Sequence, residues 1–256
     1  MQQDNQILGQ FWITNAAPFL SHFCVEEEGR LIMELIKGNH HDSGEFSFTP
    51  QIISWKRSLD YLPPETVCFE KYLFTAAAKV LFGGKPGELL LMREDPSFGG
   101  DLTSLLERAK ELTCSWGVWL NLLGIVPLGA RIVIYNRERV NQTLKRARHT
   151  ALFINSGYSE FFQAEEFFAE IGRRWEQTGE IPHEIGIALG YPVKDVVGFL
   201  GITPLKYIGN YGWRVFGCEE PSLQLRDQYD QAKRAALGFL EEPVGETDAP
   251  GGEMFH

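Results

Sequence analysis

Two β-forming runs separated by a tight turn fix the kind of sheet this chain can build. Residues 117–126 are apolar and rich in strand formers. Pro127-Leu128-Gly129 is a turn, and residues 130–136 continue with Ile132, Val133, Ile134 and Tyr135. So short a connection returns the second run beside the first, which makes the pair antiparallel. Parallel winding needs a long crossover between neighbouring strands, and the strongest pair here has none. Most other segments carry helical periodicity. The chain therefore reads as α+β: a small antiparallel sheet with a central hairpin packed against several helices.

The helical segments declare themselves by spacing and by stop signals. Residues 69–82 place Phe69, Tyr72, Leu73, Ala76, Ala77 and Val80 on one stripe, and Gly83-Gly84 ends it. Residues 88–92 form a short apolar strand. Asp101 caps a helix over 102–112, and Asn136 caps a basic helix over 137–148. Residues 159–177 carry Phe161, Phe162, Phe167, Phe168, Ile171 and Trp175 and read as one amphipathic helix capped by Ser159. A short helix over 182–189, the Gly190-Tyr191-Pro192 turn and a helix to Leu200 follow. Residues 209–216 read as one strand. Residues 221–241 form a last helix with Leu225, Tyr229, Ala232, Ala236 and Phe239 inward. Upstream, residues 28–37 have helical spacing, 39–45 are a polar loop, and 46–53 alternate as a short strand. Pro63-Pro64 marks a boundary. This gives an aromatic-rich N-terminal extension, 1–66, a main α+β domain, 67–241, and an acidic tail, 242–256, expected to be disordered.

Composition narrows the function classes. A chain of 256 residues, 44% hydrophobic and 23% charged, can bury a sizeable core without disulfides. A net charge of −10 argues against a general nucleic-acid or anionic-membrane surface, which needs a basic footprint. Arg137, Arg139, Lys145, Arg146 and Arg148 form the best local basic patch. Cys24, Cys68, Cys114 and Cys218 contain no Cys-x-x-Cys pair and read as sporadic buried thiols of a reducing compartment. The first ten residues hold no Lys or Arg, unlike a secretory signal, and no apolar run reaches the roughly 18–20 residues a membrane span needs. Cytoplasmic is the expected location.

A set of strings carries a resemblance. These are Phe69-Glu70, Gly83-x-Lys85-Pro86-x-Glu88-Leu89, and above all Pro182-His183-Glu184-Ile185-Gly186 with Leu189-Gly190-Tyr191-Pro192. Asp195-Val196, Gly198-Phe199 and Trp213-Arg214-Val215-Phe216-Gly217 complete the set. On these strings residues 67–240 resemble the uncharacterised bacterial family catalogued as domain of unknown function 3793. The resemblance implies a single-domain cytoplasmic protein of the kind common in anaerobes. It supplies no activity, no cofactor and no catalytic residues. Relatives tend to carry a His-Cys pair where this chain has Ala76-Ala77, and a cysteine where it has Tyr211-Gly212.

Several residues are candidates for chemistry. His183 titrates near neutrality and could act as acid, base or metal ligand, with Glu184 beside it. Adjacent helical residues point about 100° apart, and the second histidine of a zincin motif is missing, so a helix start with Pro and Glu in its first turn is the stronger reading. Tyr191, Asp195 and Trp213 could hold a polar ligand, against the plainer reading of a helix–turn–helix corner. Lys85 follows two glycines but precedes Pro86, so it is no phosphate-loop lysine, although it could anchor an anion. His40-His41-Asp42 reads as a solvated loop rather than a metal site. Cys114 reads as buried and inert, and helix 137–148 as a solvated face with an acidic partner as the minor reading.

The expectation is a cytoplasmic small-ligand-binding or accessory protein, meeting a small molecule or a protein partner where the 182–192 corner meets the hairpin. No nucleic acid, membrane or metal is expected. One alternative is an enzyme using His183 as general acid/base with Lys85 and Tyr191 in one pocket. The second is a metal- or haem-linked accessory protein, suggested by the cysteines of relatives.

Overall fold

A computed structural model describes residues 46–148, 150–155, 157–158 and 163–243. The expectations for 28–37, His40-His41-Asp42, Cys24, Ser159, Phe161, Phe162 and the tail beyond Pro243 lie outside the described residues.

The hairpin is present as read. Strand β2 (Trp119–Val126) pairs antiparallel with β3 (Gly129–Tyr135), and β1 (Gly87–Met92) pairs antiparallel on the other side of β3, giving the order β1-β3-β2. A register shift between Leu122 and Gly124 lets β2 bulge. Because side chains alternate across a sheet, each face meets a different set of helices. On one face Met92, Ala130, Ile132 and Ile134 join a core with α1 (Pro50–Ser58), α2 (Pro64–Leu81) and α3 (Leu102–Ser115). On the other, Leu123, Val133 and Tyr135 meet α4 (Arg137–Ala147), the short α5 (Ala151–Asn155), α6 (Ala164–Thr178) and the one-turn α7 (Ile185–Ala188). Then come α8 (Val193–Phe199), a second hairpin of β4 (Tyr207–Asn210) and β5 (Arg214–Phe216), and the long α9 (Glu220–Glu241). The result is α+β, with a small antiparallel sheet between helical layers.

Local chemistry explains the helix starts. The Asp101 carboxylate accepts from the Ser104 N–H at 2.8 Å, and the Asn136 side chain accepts from the Arg139 N–H at 3.0 Å. Five expectations are corrected. Residues 46–53 are not a strand: Thr49 caps and Pro50 opens α1, whose Ile52 and Trp55 are buried in the α2 core. Helix α6 begins at Ala164 rather than after Ser159. The Glu166 carboxylate reaches back to the Gln163 N–H (2.9 Å), and the Asn141 side chain accepts from the Ala164 N–H (2.8 Å). Residues 209–216 are not one strand, because Gly212, at φ 97°, turns the chain between β4 and β5. Cys68, Cys114 and Cys218 are free and exposed rather than buried, and Cys114 ends α3 on its solvent side. Tyr72 also points outward, against Phe98, while Phe69, Leu73, Ala77 and Val80 of its stripe are buried.

Helix α6 lies close across β2. A Cβ on Gly172 would stand 2.7 Å from the Leu123 carbonyl oxygen, so only glycine fits that crossing. Among the described residues no helix is long and apolar enough to cross a membrane.

Candidate functional site

Several of the strings that carried the family resemblance meet in space, while Phe69-Glu70 lies apart in the core of α1, α2 and α3. Gly190, at φ 80°, ends α7 so closely against Pro86 that a Cβ there would lie 2.4 Å from the Pro86 ring. This joins the Gly83–Glu88 segment to the Gly190–Pro192 turn. Lys85 is buried there and pairs with Glu88, which also meets Lys79 at 3.2 Å. Burial alone would raise the Glu88 carboxyl, but the Lys85 and Lys79 ammoniums outweigh it and hold its pKa below the usual carboxylate range. The Lys85 ammonium sits 5.3 Å from the Tyr191 ring centre and 5.5 Å from that of Tyr229. Burial, with the Glu88 charge nearby, pushes both phenols well up, so neither ionises near neutrality.

Tyr191 in turn stacks on Trp213, centroids 5.1 Å apart. The Trp213 indole N–H donates to Asp195 at 2.9 Å. Asp195 also accepts from the Phe216 N–H (2.9 Å), the Ser222 hydroxyl (2.6 Å) and Lys194 (2.6 Å). All four ligand-binding candidates, Lys85, Tyr191, Asp195 and Trp213, are thus brought into one chain of contacts. They satisfy each other. The depression beside them, lined by Tyr191, Asp195, Val196, Phe199, Trp213 and Arg214, holds about 30 Å³, which is room for a water.

His183 and Glu184 part company. The imidazole meets the Phe199 ring of α8 edge-on, centroids 5.0 Å apart. Burial lowers its pKa, more than Glu184 and Glu180 raise it. The Glu184 carboxylate instead accepts from the Tyr158 hydroxyl (3.0 Å) and pairs with Arg174 of α6 (3.1 Å). Neither His183 nor Lys85 lines the depression beside Tyr191.

A larger cavity lies elsewhere. A half-open groove of about 590 Å³ runs along α4, lined by Trp119, Arg137, Asn141, Gln142, Lys145 and Arg148, among others. Cross-strand pairing sets Trp119 opposite Tyr135, two residues before Arg137. The Arg137 guanidinium lies 3.6 Å over the Trp119 ring, and its Nε pairs with Glu165 of α6. Glu165 also accepts from the Tyr135 hydroxyl at 3.1 Å. Burial raises the Glu165 carboxyl, but its own backbone N–H and Arg137 outweigh that and hold it low. The basic run was visible in the sequence, while Trp119 and Glu165 were not singled out. The only signal for Trp119 was its place at the start of the hairpin.

Sequence reasoning named Glu70 only within the Phe69-Glu70 string and missed its role. This carboxylate is 0% exposed and accepts from the Trp55 indole at 2.6 Å and from Arg108 at 2.6 Å, pinning α1, α2 and α3 together. Among the described residues, no group of three or more His, Cys, Asp or Glu side chains is placed to hold a metal ion.

Fold and motifs define a helical α+β protein centred on a three-stranded antiparallel sheet, with most of its signature strings packed into one corner. The family model described as Protein of unknown function (DUF3793) matches residues 73–245, more than half of the chain, and the chain belongs to that family. No curated protein and no solved structure matches it.

Proposed function

We propose that this chain is a small-ligand-binding accessory protein whose site is the groove along α4. The observation that carries the reading is the groove itself. At about 590 Å³ it falls within the size range of small-molecule sites, and it combines an aromatic wall with several polar groups. The 182–192 corner, by contrast, has its polar groups engaged with one another and about 30 Å³ beside them. It serves in this reading as the fold's fastening rather than the binding site. A small molecule is favoured over nucleic acid or membrane by the chain's net charge of −10. A cytoplasmic location belongs to the same reading. The exposed free thiols of Cys68, Cys114 and Cys218 support it, since such thiols persist in a reducing compartment.

Native mass spectrometry of protein purified from its own cells tests this. Gln142 lines the groove and is exposed, so Gln142→Trp blocks it without touching the core. A retained small-molecule adduct should be seen on the wild type and lost from the variant. Wild-type protein without an adduct, or an adduct that survives the block, overturns the proposal.

A further inference from the structure

We infer that the ligand of the α4 groove is an aromatic molecule bearing an anionic group, its ring at the Trp119 end and its charge at the Lys145 end. This deepens the groove reading and rests on it. Three of the lining residues, Arg137, Lys145 and Arg148, are cations. Among the described lining residues Glu138 is the one carboxylate, in contact with the Gln142 amide at 3.1 Å, and Arg137 is itself paired with Glu165. On a chain of net charge −10, such a stretch is a local reversal of sign, and a groove focuses that potential on what enters it.

The two ends differ in chemistry. At the first turn of α4, Trp119 is 48% exposed, with one side of its ring met by the Arg137 guanidinium. Glu165 holds Arg137 by its Nε, and Gly117 at the groove wall leaves open space, since a Cβ there would meet nothing within 4 Å. A flat, electron-rich ring finds stacking surface there, on indole or guanidinium. Lys145 and Arg148 line the other end. Eight residues separate Arg137 from Lys145, a rise of about 12 Å along a helix. Allowing for the inward reach of a lysine side chain, that matches a molecule with a ring at one end and a phosphate or carboxylate at the other. The polar sides of the groove, Asn141, Gln142 and Gln163, can hydrogen-bond the atoms between.

Calorimetric titration with adenosine monophosphate, indole-3-acetate, adenosine and inorganic phosphate tests the assignment, on wild-type protein and on the Trp119→Leu and Lys145→Glu variants. At least one of the two ring-bearing anions should bind tenfold or more tightly than adenosine or phosphate. Lys145→Glu should weaken it at least tenfold while leaving adenosine unchanged, and Trp119→Leu should bring it down towards phosphate. Thermal melts check that both variants fold. No binding by either ring-bearing anion, equal binding of adenosine, equal binding of phosphate, or indifference to Lys145→Glu overturns the inference. An uncharged native adduct expelled by Gln142→Trp would refute the anionic ligand and leave the groove reading standing. No adduct at all would refute the groove reading itself.

Discussion

His183 was the most conspicuous residue for chemistry in the sequence, and its surroundings give it a different task. Its ring is half-buried against Phe199, where burial favours the neutral form. Its folded-state pKa lies below the unfolded value, so at mildly acid pH the unfolded chain binds the proton more readily. The stability it contributes is therefore fully present above about pH 6.5, the ordinary histidine value, and lost as pH falls through the lowered one. Urea melts of wild type at pH 7.5 and 5.5 should show a loss of stability on acidification that is smaller in His183→Gln. An unchanged difference would refute the assignment. The sequence could nominate His183, Lys85, Tyr191, Asp195 and Trp213, because histidines, lysines and aromatics near glycine turns are where binding chemistry sits. It could not show that Asp195 already accepts four hydrogen bonds, since three donors, Trp213, Phe216 and Ser222, come from 18 to 27 positions away.

At the scale of elements, legibility followed local chemistry. Helices α3 and α4 were readable because Asp101 and Asn136 are strong caps placed directly before apolar periodicity. The start of α6 was not readable. Ser159 is the better local cap, and the contact that helps set Ala164 comes from Asn141, 23 positions upstream. Helix α1 was misread for another reason: loose alternation over 46–53 outweighed a Thr-Pro pair that is itself a helix-start signal. The groove was invisible because β2–β3 register brings Trp119 to the first turn of α4. The crossing of α6 over β2 gives an element-scale prediction. Gly172→Ala must push the helix from the Leu123 carbonyl, costing about 2 kcal/mol as an overpacked contact does. Chemical denaturation measures this, and a loss below about 0.5 kcal/mol would mean that the two elements slide apart freely.

Over the whole molecule, distant segments close one core. Phe239 of α9 stacks on Phe48, centroids 3.9 Å apart, and sits 5.9 Å from Phe74 of α2. The Lys56 ammonium donates to the Phe239 carbonyl, and Ala236 is buried in the same cluster. A chain ended before Glu220 should therefore bare the outer side of α2. It should bind a hydrophobic dye and be digested by protease far faster than the full chain, and equal resistance would show that α9 is dispensable to this core.

The α2–α9 contact also sets an order of events on the ribosome. About 140 residues separate the end of α2 from the start of α9, so at synthesis rates of about 5–20 residues per second α2 waits on the order of ten seconds for its cover. Through that interval the nascent chain carries Phe74 and its neighbours without their C-terminal partner, and it is then that a chaperone has most to hold.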